Sequence, residues 1–214
     1  MLRRIISAGL TALALCGGAL GCDPGGPSGA TMGEQLFQNC AYCHGTDGEG
    51  REQFGAPAIA GLDRWYLEAQ LNKFRTGVRG EHPDDPEGLR MRAMARTLRS
   101  WTEIEAVASY VSELEPVRPE PTVEGGDAGR GASLYTPCIT CHGQDGAGNQ
   151  AVGAPPLAGA NDWYLVRQVH KFQDGVRGTD PEDTTGAQMR PMAMSLTDDQ
   201  AIQDVVAHIM TLGR

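Results

Sequence analysis

Two short segments hold the densest chemistry of this chain: Cys40-Ala41-Tyr42-Cys43-His44 and, 98 residues later, Cys138-Ile139-Thr140-Cys141-His142. Thiols at this spacing can form thioethers to the two vinyl groups of a porphyrin while the adjacent imidazole meets the iron, so the pattern is the attachment signature of c-type haem. Two other chemistries use paired cysteines. A structural zinc ion needs four ligands, and neither segment is followed by a second cysteine or histidine pair. A thioredoxin-like redox pair expects a strand-helix-strand setting and no histidine directly after its second cysteine. The expectation is therefore two covalently attached haems, and electron transfer as their function.

The offset of 98 runs through most of the chain. Gly33 to Leu114 laid on Gly131 to Leu212 without a gap gives 35 identities in 82 positions, so one folding unit occurs twice. A unit of that size is small for a core of side chains alone, and a covalently held haem is a large apolar body that fills what the chain cannot. An aromatic content of only 6% agrees with a core whose largest flat ring is not an amino acid.

Three helical stretches are expected in each unit. The first opens at the capping-box pattern Thr31-x-x-Glu34 and runs through Leu36 and Phe37 to Cys40, with the cysteines at or just beyond its end; Asp127 caps its copy. The second covers Trp65 to Thr76 and Trp163 to Asp174, with Gly77 and Gly175 as terminators. The third opens at Ser100-x-x-Glu103, with Ile104, Val107, Ala108, Val111 and Leu114 at helical spacing; its copy opens at Thr197-x-x-Gln200. No segment alternates with period two, so the fold class is all-α. The expected organisation is a signal peptide over 1–21, a flexible tether over 22–30, domain 1 over 31–114, a linker with three prolines over 115–126, and domain 2 over 127–214.

The amino terminus reads as a targeting segment. Arg3 and Arg4 precede an apolar run, Ile5 to Leu15, that is short for a bilayer, and Ala19-Leu20-Gly21-Cys22 follows. Cys22 has no partner in the mature chain, and its setting resembles a bacterial lipoprotein processing site, which makes Cys22 the expected lipidation site. A plain cleaved signal and an uncleaved anchor are the alternatives. Thioether attachment of haem also fits a periplasmic or other extracytoplasmic location.

Each iron then needs a sixth ligand or an open face. The soft thioether of methionine is the partner expected for one-electron transfer, since it raises the potential. Met91-Arg92-Ala93-Met94-Ala95 returns as Met189-Arg190-Pro191-Met192-Ala193, so either Met91 and Met189 or Met94 and Met192 can serve. His82, His170 and His208 each occur in one copy only, which disfavours a second histidine as ligand.

On these motifs the chain resembles two fused small monohaem cytochromes c, similar to the cytochrome c-four family, over essentially the whole mature sequence. The resemblance implies a tandem pair of cytochrome c domains with His44 and His142 as iron ligands, and Met91 and Met189 as sixth ligands, seven residues before Leu98 and Leu196. It implies that Gly33 and Phe37 cross the last helix near Val107 and Tyr110, with His208 replacing that tyrosine in the second copy. It also implies that the Pro57 and Pro155 carbonyls accept the free N–H of the ligand imidazoles. Arg79 and Arg177, both within Gly-Val-Arg-Gly, either pair with haem propionates or face solvent. Trp65 and Trp163, with the tyrosines that follow them, read as core aromatics with polar tips at the surface, the alternative being donors of hydrogen bonds to haem propionates.

With 18 basic against 27 acidic residues, and 16 against 27 once Arg3 and Arg4 are cleaved away, nucleic-acid binding is disfavoured. The charge is uneven. Arg90, Arg92, Arg96 and Arg99 bracket Met91, whereas the second copy keeps only Arg190; this is either a rim that steers an acidic partner or a solvated arginine face. The function expected is a dihaem electron carrier, not an enzyme, near a membrane surface; the resemblance to oxidase-associated cytochromes implies a terminal oxidase as acceptor and a quinol-oxidising complex as donor. A dihaem peroxidase or thiosulfate-oxidising enzyme with one open haem is the competing class, and a subunit of a larger respiratory complex is a third possibility.

Overall fold

The computed structural model describes residues 31–213; the expected leader, the Cys22 site and the tether lie outside the described residues. The first repeat forms α1 (Met32–His44), α2 (Arg64–Thr76), α3 (Pro86–Ala95) and α4 (Trp101–Glu113). In the second, α5 (Ala128–Tyr135), a 3-10 turn and α6 (Ile139–His142) precede α7 (Asp162–Gln173), α8 (Thr184–Met194) and α9 (Asp199–Ile209). Only two isolated bridges, Arg51 with Ala56 and Asn149 with Ala154, interrupt this all-α architecture among the described residues.

Local chemistry explains most of the boundaries. Thr31 accepts the Glu34 N–H and Ser100 the Glu103 N–H, as the capping patterns predict. Gly77 closes α2 at φ 95°, a conformation that a Cβ would strain. Four expectations need correction. The cysteines lie within α1, which runs on to His44, instead of at its end. In the second repeat Pro137 stands where Asn39 stood; lacking an N–H, it breaks the same path into α5, the 3-10 turn and α6. α9 is capped by Asp198, which accepts the Ala201 N–H, and not by Thr197. Each repeat also has a fourth helix, α3 or α8, and this is the one that carries the methionines.

Each repeat has its own core. In the first, Phe37, Leu67, Leu98, Ile104, Val107 and Val111 pack together; in the second, Tyr135, Leu165, Leu196, Ile202, Val205 and Ile209 do so. Gly33 allows α1 to cross α4 so closely that a Cβ there would strike the Ala106 carbonyl, and Gly131 stands in the same relation to Asp204. Phe37 meets Tyr110 with ring centroids 5.4 Å apart, and Tyr135 meets His208 at 5.3 Å, so the imidazole takes the tyrosine's place in the second crossing.

The linker is pinned. Buried Asp162 accepts the N–H groups of Thr122 (2.5 Å) and Val123 (2.6 Å), and Gln200 donates to the Gly125 carbonyl. A pseudo-twofold set of polar contacts then joins the repeats. Lys73 donates to Asp183 at 2.6 Å, and Lys171, its equivalent, donates to Asp85 at 2.6 Å. Asp85 and Asp183 also cap α3 and α8 by accepting the Gly88 and Gly186 N–H groups. One carboxylate thus starts a methionine helix and grips the opposite repeat.

Because Asp183 is buried, Lys73→Met should leave an uncompensated charge and cost about 3 kcal/mol, whereas loss of the exposed Arg64–Glu68 pair should leave the unfolding midpoint unmoved. Urea unfolding followed by circular dichroism measures both. Burial pushes the Asp183 carboxyl up, but the hydrogen bond and charge of Lys73 and the Gly186 N–H outweigh it and hold the group below the usual carboxylate value. A carboxyl depressed in the folded state contributes stability above its unfolded pKa and loses it as pH falls through the folded one. The deficit of Asp183→Asn relative to the natural protein should therefore be full above about pH 4 and shrink in more acidic solution.

Candidate functional site

His44 and His142 end their helices with buried rings. The chain then folds back through the bridge at Arg51 and Ala56, and that return brings Pro57 to the imidazole. Nδ1 of His44 donates to the Pro57 carbonyl at 2.8 Å, and Nδ1 of His142 donates to Pro155 at 2.9 Å. With the proton held on Nδ1, Nε2 keeps its lone pair. Burial lowers both imidazole pKa values against the opposing pull of the proline carbonyls, which favours the neutral ring that a metal requires.

The four motif cysteines are free. Burial, and then the neighbouring Cys43, pushes the Cys40 thiol up to about 11, and burial followed by Cys141 raises Cys138. Reactive disulfide-exchange cysteines are shifted the other way, so the electrostatics disfavour a thioredoxin-like role. One helical turn carrying two free thiols, followed by an imidazole with a free Nε2, is a donor set that fits covalent haem.

The methionine pairs differ in their placement. At about 100° per residue, Met91 lies roughly 40° around α3 from Ala95 and 60° from Gly88, whereas Met94 lies about 100° from Ala95. Gly88 and Ala95 are the buried positions of that helix; Met91 is half-buried and Met94 exposed. In α8 the same wheel sets Met189 nearer to buried Gly186 and Ala193 than Met192, although both methionines are half-buried. The remaining histidines are otherwise engaged: His82 lies 3.8 Å from Asp84, His170 lies 3.7 Å from Asp199, and His208 packs on Tyr135.

Arg79 and Arg177 are not solvent-facing. Arg79 donates to Gln70, Tyr164 and Gln168, and Arg177 to Gln168, so both guanidiniums lie between the repeats. Among the described residues neither forms an ion pair, and Nε of Arg177 is buried without a partner. Burial and the nearby Arg79 push the Arg177 pKa down. Tyr164, expected to reach the surface, instead accepts from Arg79. The signal for this cluster was present in the sequence: Tyr66, Gln70, Lys73, Arg79 and Asp85 all recur unchanged at an offset of 98.

A small all-α domain built twice around a Cys-x-x-Cys-His turn whose imidazole is fixed by a proline carbonyl is the architecture of a dihaem c-type electron-transfer protein. The family described as Cytochrome c matches residues 30–115 and 128–213, and the chain belongs to that family. It is 34% identical over 188 residues to a thiosulfate dehydrogenase electron acceptor of Stutzerimonas stutzeri (strain A1501), covering 82% of this chain and 79% of that one. It is 35% identical over 158 residues to the cbb3-type cytochrome c oxidase subunit FixP of Bradyrhizobium sp. (strain ORS 278), covering 67% of this chain and 52% of that one. Among solved structures, reduced recombinant cytochrome c4 from Pseudomonas stutzeri superposes with a TM-score of 0.64 at 29% identity, over 84% of this chain and 96% of that one. The tandem fold, the two covalently bound c-type haems and dihaem electron transfer with respiratory redox partners follow from these relations.

Replacing Cys138 and Cys141 together by alanine should halve the covalently bound haem per polypeptide. Haem staining after denaturing electrophoresis and a pyridine haemochrome assay would measure the loss.

Proposed function

We propose that the protein is an extracytoplasmic electron carrier in which Cys40 and Cys43 hold one haem and Cys138 and Cys141 the other. His44 with Met91, and His142 with Met189, are the axial pairs in this reading. When bound, the haem iron supplies a one-electron couple; the chain orients the ligands, excludes water and joins the two sites. The observation that carries the proposal is the duplication of the whole donor set, including Met91 and Met189 on the inner flank of equivalent helices. An enzyme needs one open iron, and a methionine in both copies disfavours it.

Pro57 and Pro155 orient the imidazoles through their carbonyls and make them better donors. Arg79 and Arg177 meet haem propionates, because buried Arg79 and half-buried Arg177 form no ion pair with a carboxylate among the described residues and so call for anions from outside the polypeptide. Both fit the hydrogen bonds described above. The domains divide at the linker over 115–126. Cys22, lying outside the described residues, carries lipid that keeps the carrier at the membrane surface; no helix of the described residues is long and apolar enough to cross a membrane.

The names of the relatives bear on the partners. Likeness to a cbb3-type oxidase subunit supports a terminal oxidase as acceptor, with a quinol-oxidising complex as one donor. Likeness to a thiosulfate dehydrogenase electron acceptor favours a second donor, a periplasmic dehydrogenase of that kind.

Met91→Ala and Met189→Ala should each open one iron. The reduced variants should bind about one equivalent of carbon monoxide, while the natural protein, Met94→Ala and Met192→Ala bind almost none. Titration of the reduced absorption spectrum with the gas reads the difference, and uptake by Met94→Ala in place of Met91→Ala would reverse the ligand assignment.

A further inference from the structure

The two repeats share their ligand machinery but not their outer surfaces. From Leu89 to Trp101 the first repeat has four arginines and no acid, whereas Ala187 to Asp199 has one arginine and two aspartates. The difference continues onto the haem-motif turn. Arg90 donates to the Phe54 carbonyl at 2.9 Å, the Phe54 ring packs against Tyr42 with centroids 5.3 Å apart, and Arg51 donates to the Tyr42 carbonyl at 3.2 Å. Tyr42 is 70% exposed although it lies between the two cysteines, and Leu89, Met94 and Arg96 are also exposed. These contacts tie the motif turn and the methionine helix into one surface of arginines around exposed Tyr42 and half-buried Phe54.

In the second repeat all of it is replaced except Met94, which Met192 matches. Thr140 stands for Tyr42, Asn149 for Arg51, Val152 for Phe54, Gln188 for Arg90 and Met194 for Arg96. Arg92 and Arg99 are paired with Glu81 and Glu103, but among the described residues Arg51, Arg90 and Arg96 form no ion pair, and two other neighbouring carboxylates are drawn elsewhere: Glu87 bonds Lys171, and Glu52 lies 3.9 Å from Arg167. The patch is therefore positive on a chain whose formal net charge is −9, which orients the whole molecule in the field of a partner.

We infer that this surface of the first domain, built from Tyr42, Arg51, Phe54, Arg90, Met94 and Arg96, is the docking site for an acidic electron-transfer protein, and that the second domain serves a partner of different charge. The arginines raise the encounter rate and fix approach, and the exposed apolar side chains form the dry contact through which the electron passes. This rests on the haem reading above, since the surface has a use only if the first domain holds a haem behind it.

The test exploits the duplication, because each repeat supplies substitutions that the fold already accepts in the other. Stopped-flow oxidation of the fully reduced dihaem protein by an acidic plastocyanin is followed from low to high ionic strength. Arg51→Asn/Arg90→Gln/Arg96→Met should slow the reaction about tenfold or more at low salt and match the natural protein at high salt. The reverse set, Asn149→Arg/Gln188→Arg/Met194→Arg, introduced into that slowed variant should restore part of the rate. With tris(phenanthroline)cobalt(III), a cationic oxidant, the first variant should be no slower than the natural protein. An unchanged low-salt rate with plastocyanin, or equal slowing with both oxidants, overturns the proposal. Pyridine haemochrome assay and carbon monoxide titration of the same samples report separately on the haem reading: two haems that exclude the gas, combined with an unchanged rate, remove the docking site and leave the carrier intact.

Discussion

The structure depends first on an imidazole that is held before it is used. Nδ1 of His44 and of His142 each donates to a proline carbonyl thirteen residues further on, so the ring is fixed in tautomer and direction by backbone. A buried imidazole without that acceptor would carry an unsatisfied N–H, and its free nitrogen would point wherever packing allowed. The loop after each motif is arranged to supply the acceptor. Gly50 and Gly148 donate to the histidine carbonyls while the short bridges at Arg51 and Asn149 turn the chain back. The same geometry in both copies is what makes the two sites chemically alike.

A second constraint sets one site against the other. The aspartates that cap the methionine helices are the partners of lysines in the opposite repeat. Positioning of a methionine helix and docking of the two repeats therefore use the same carboxylates, and neither can relax alone. Buried ion pairs of this kind gain little net stability over apolar contacts, and their value lies in rejecting other arrangements. For two redox centres that exchange electrons, a fixed relative geometry is the property that matters.

Much of the site was legible because covalent haem attachment imposes a local pattern: Cys40, Cys43 and His44 lie within five consecutive residues, and the repeat supplied the second set. Helices with an uninterrupted apolar stripe, such as α4 with Ile104, Val107, Ala108 and Val111, were equally plain. The fourth helix was not, because α3 begins with Pro86 and carries Gly88, while α8 contains Gly186 and an interior Pro191. Their helicity comes from the Asp85 and Asp183 caps and from packing, and neither leaves an apolar period. The lattice between repeats joins residues about 85 to 110 positions apart, a separation that no local pattern encodes. Its trace was the retention of identical polar residues in both copies, where an exposed surface would have drifted.

That contrast between retained and altered positions organises the function. The motif histidines, the prolines that fix them, the helix-borne methionines and the lysine, aspartate, arginine and glutamine that form the central contacts between the repeats are the same in both halves, whereas Glu87 and Arg167, which also cross between them, stand opposite Thr185 and Ala69. On the outer surface charge has changed, with Arg51, Arg90 and Arg96 standing opposite Asn149, Gln188 and Met194. A symmetric pair of sites joined by a symmetric interface would pass electrons equally well in either direction. In the proposed docking, unlike outer surfaces break that equivalence without disturbing either metal site, since a partner drawn to one end would meet only one haem. On the docking proposed above, direction in such a carrier follows from its surface electrostatics, laid over an interior that duplication kept alike.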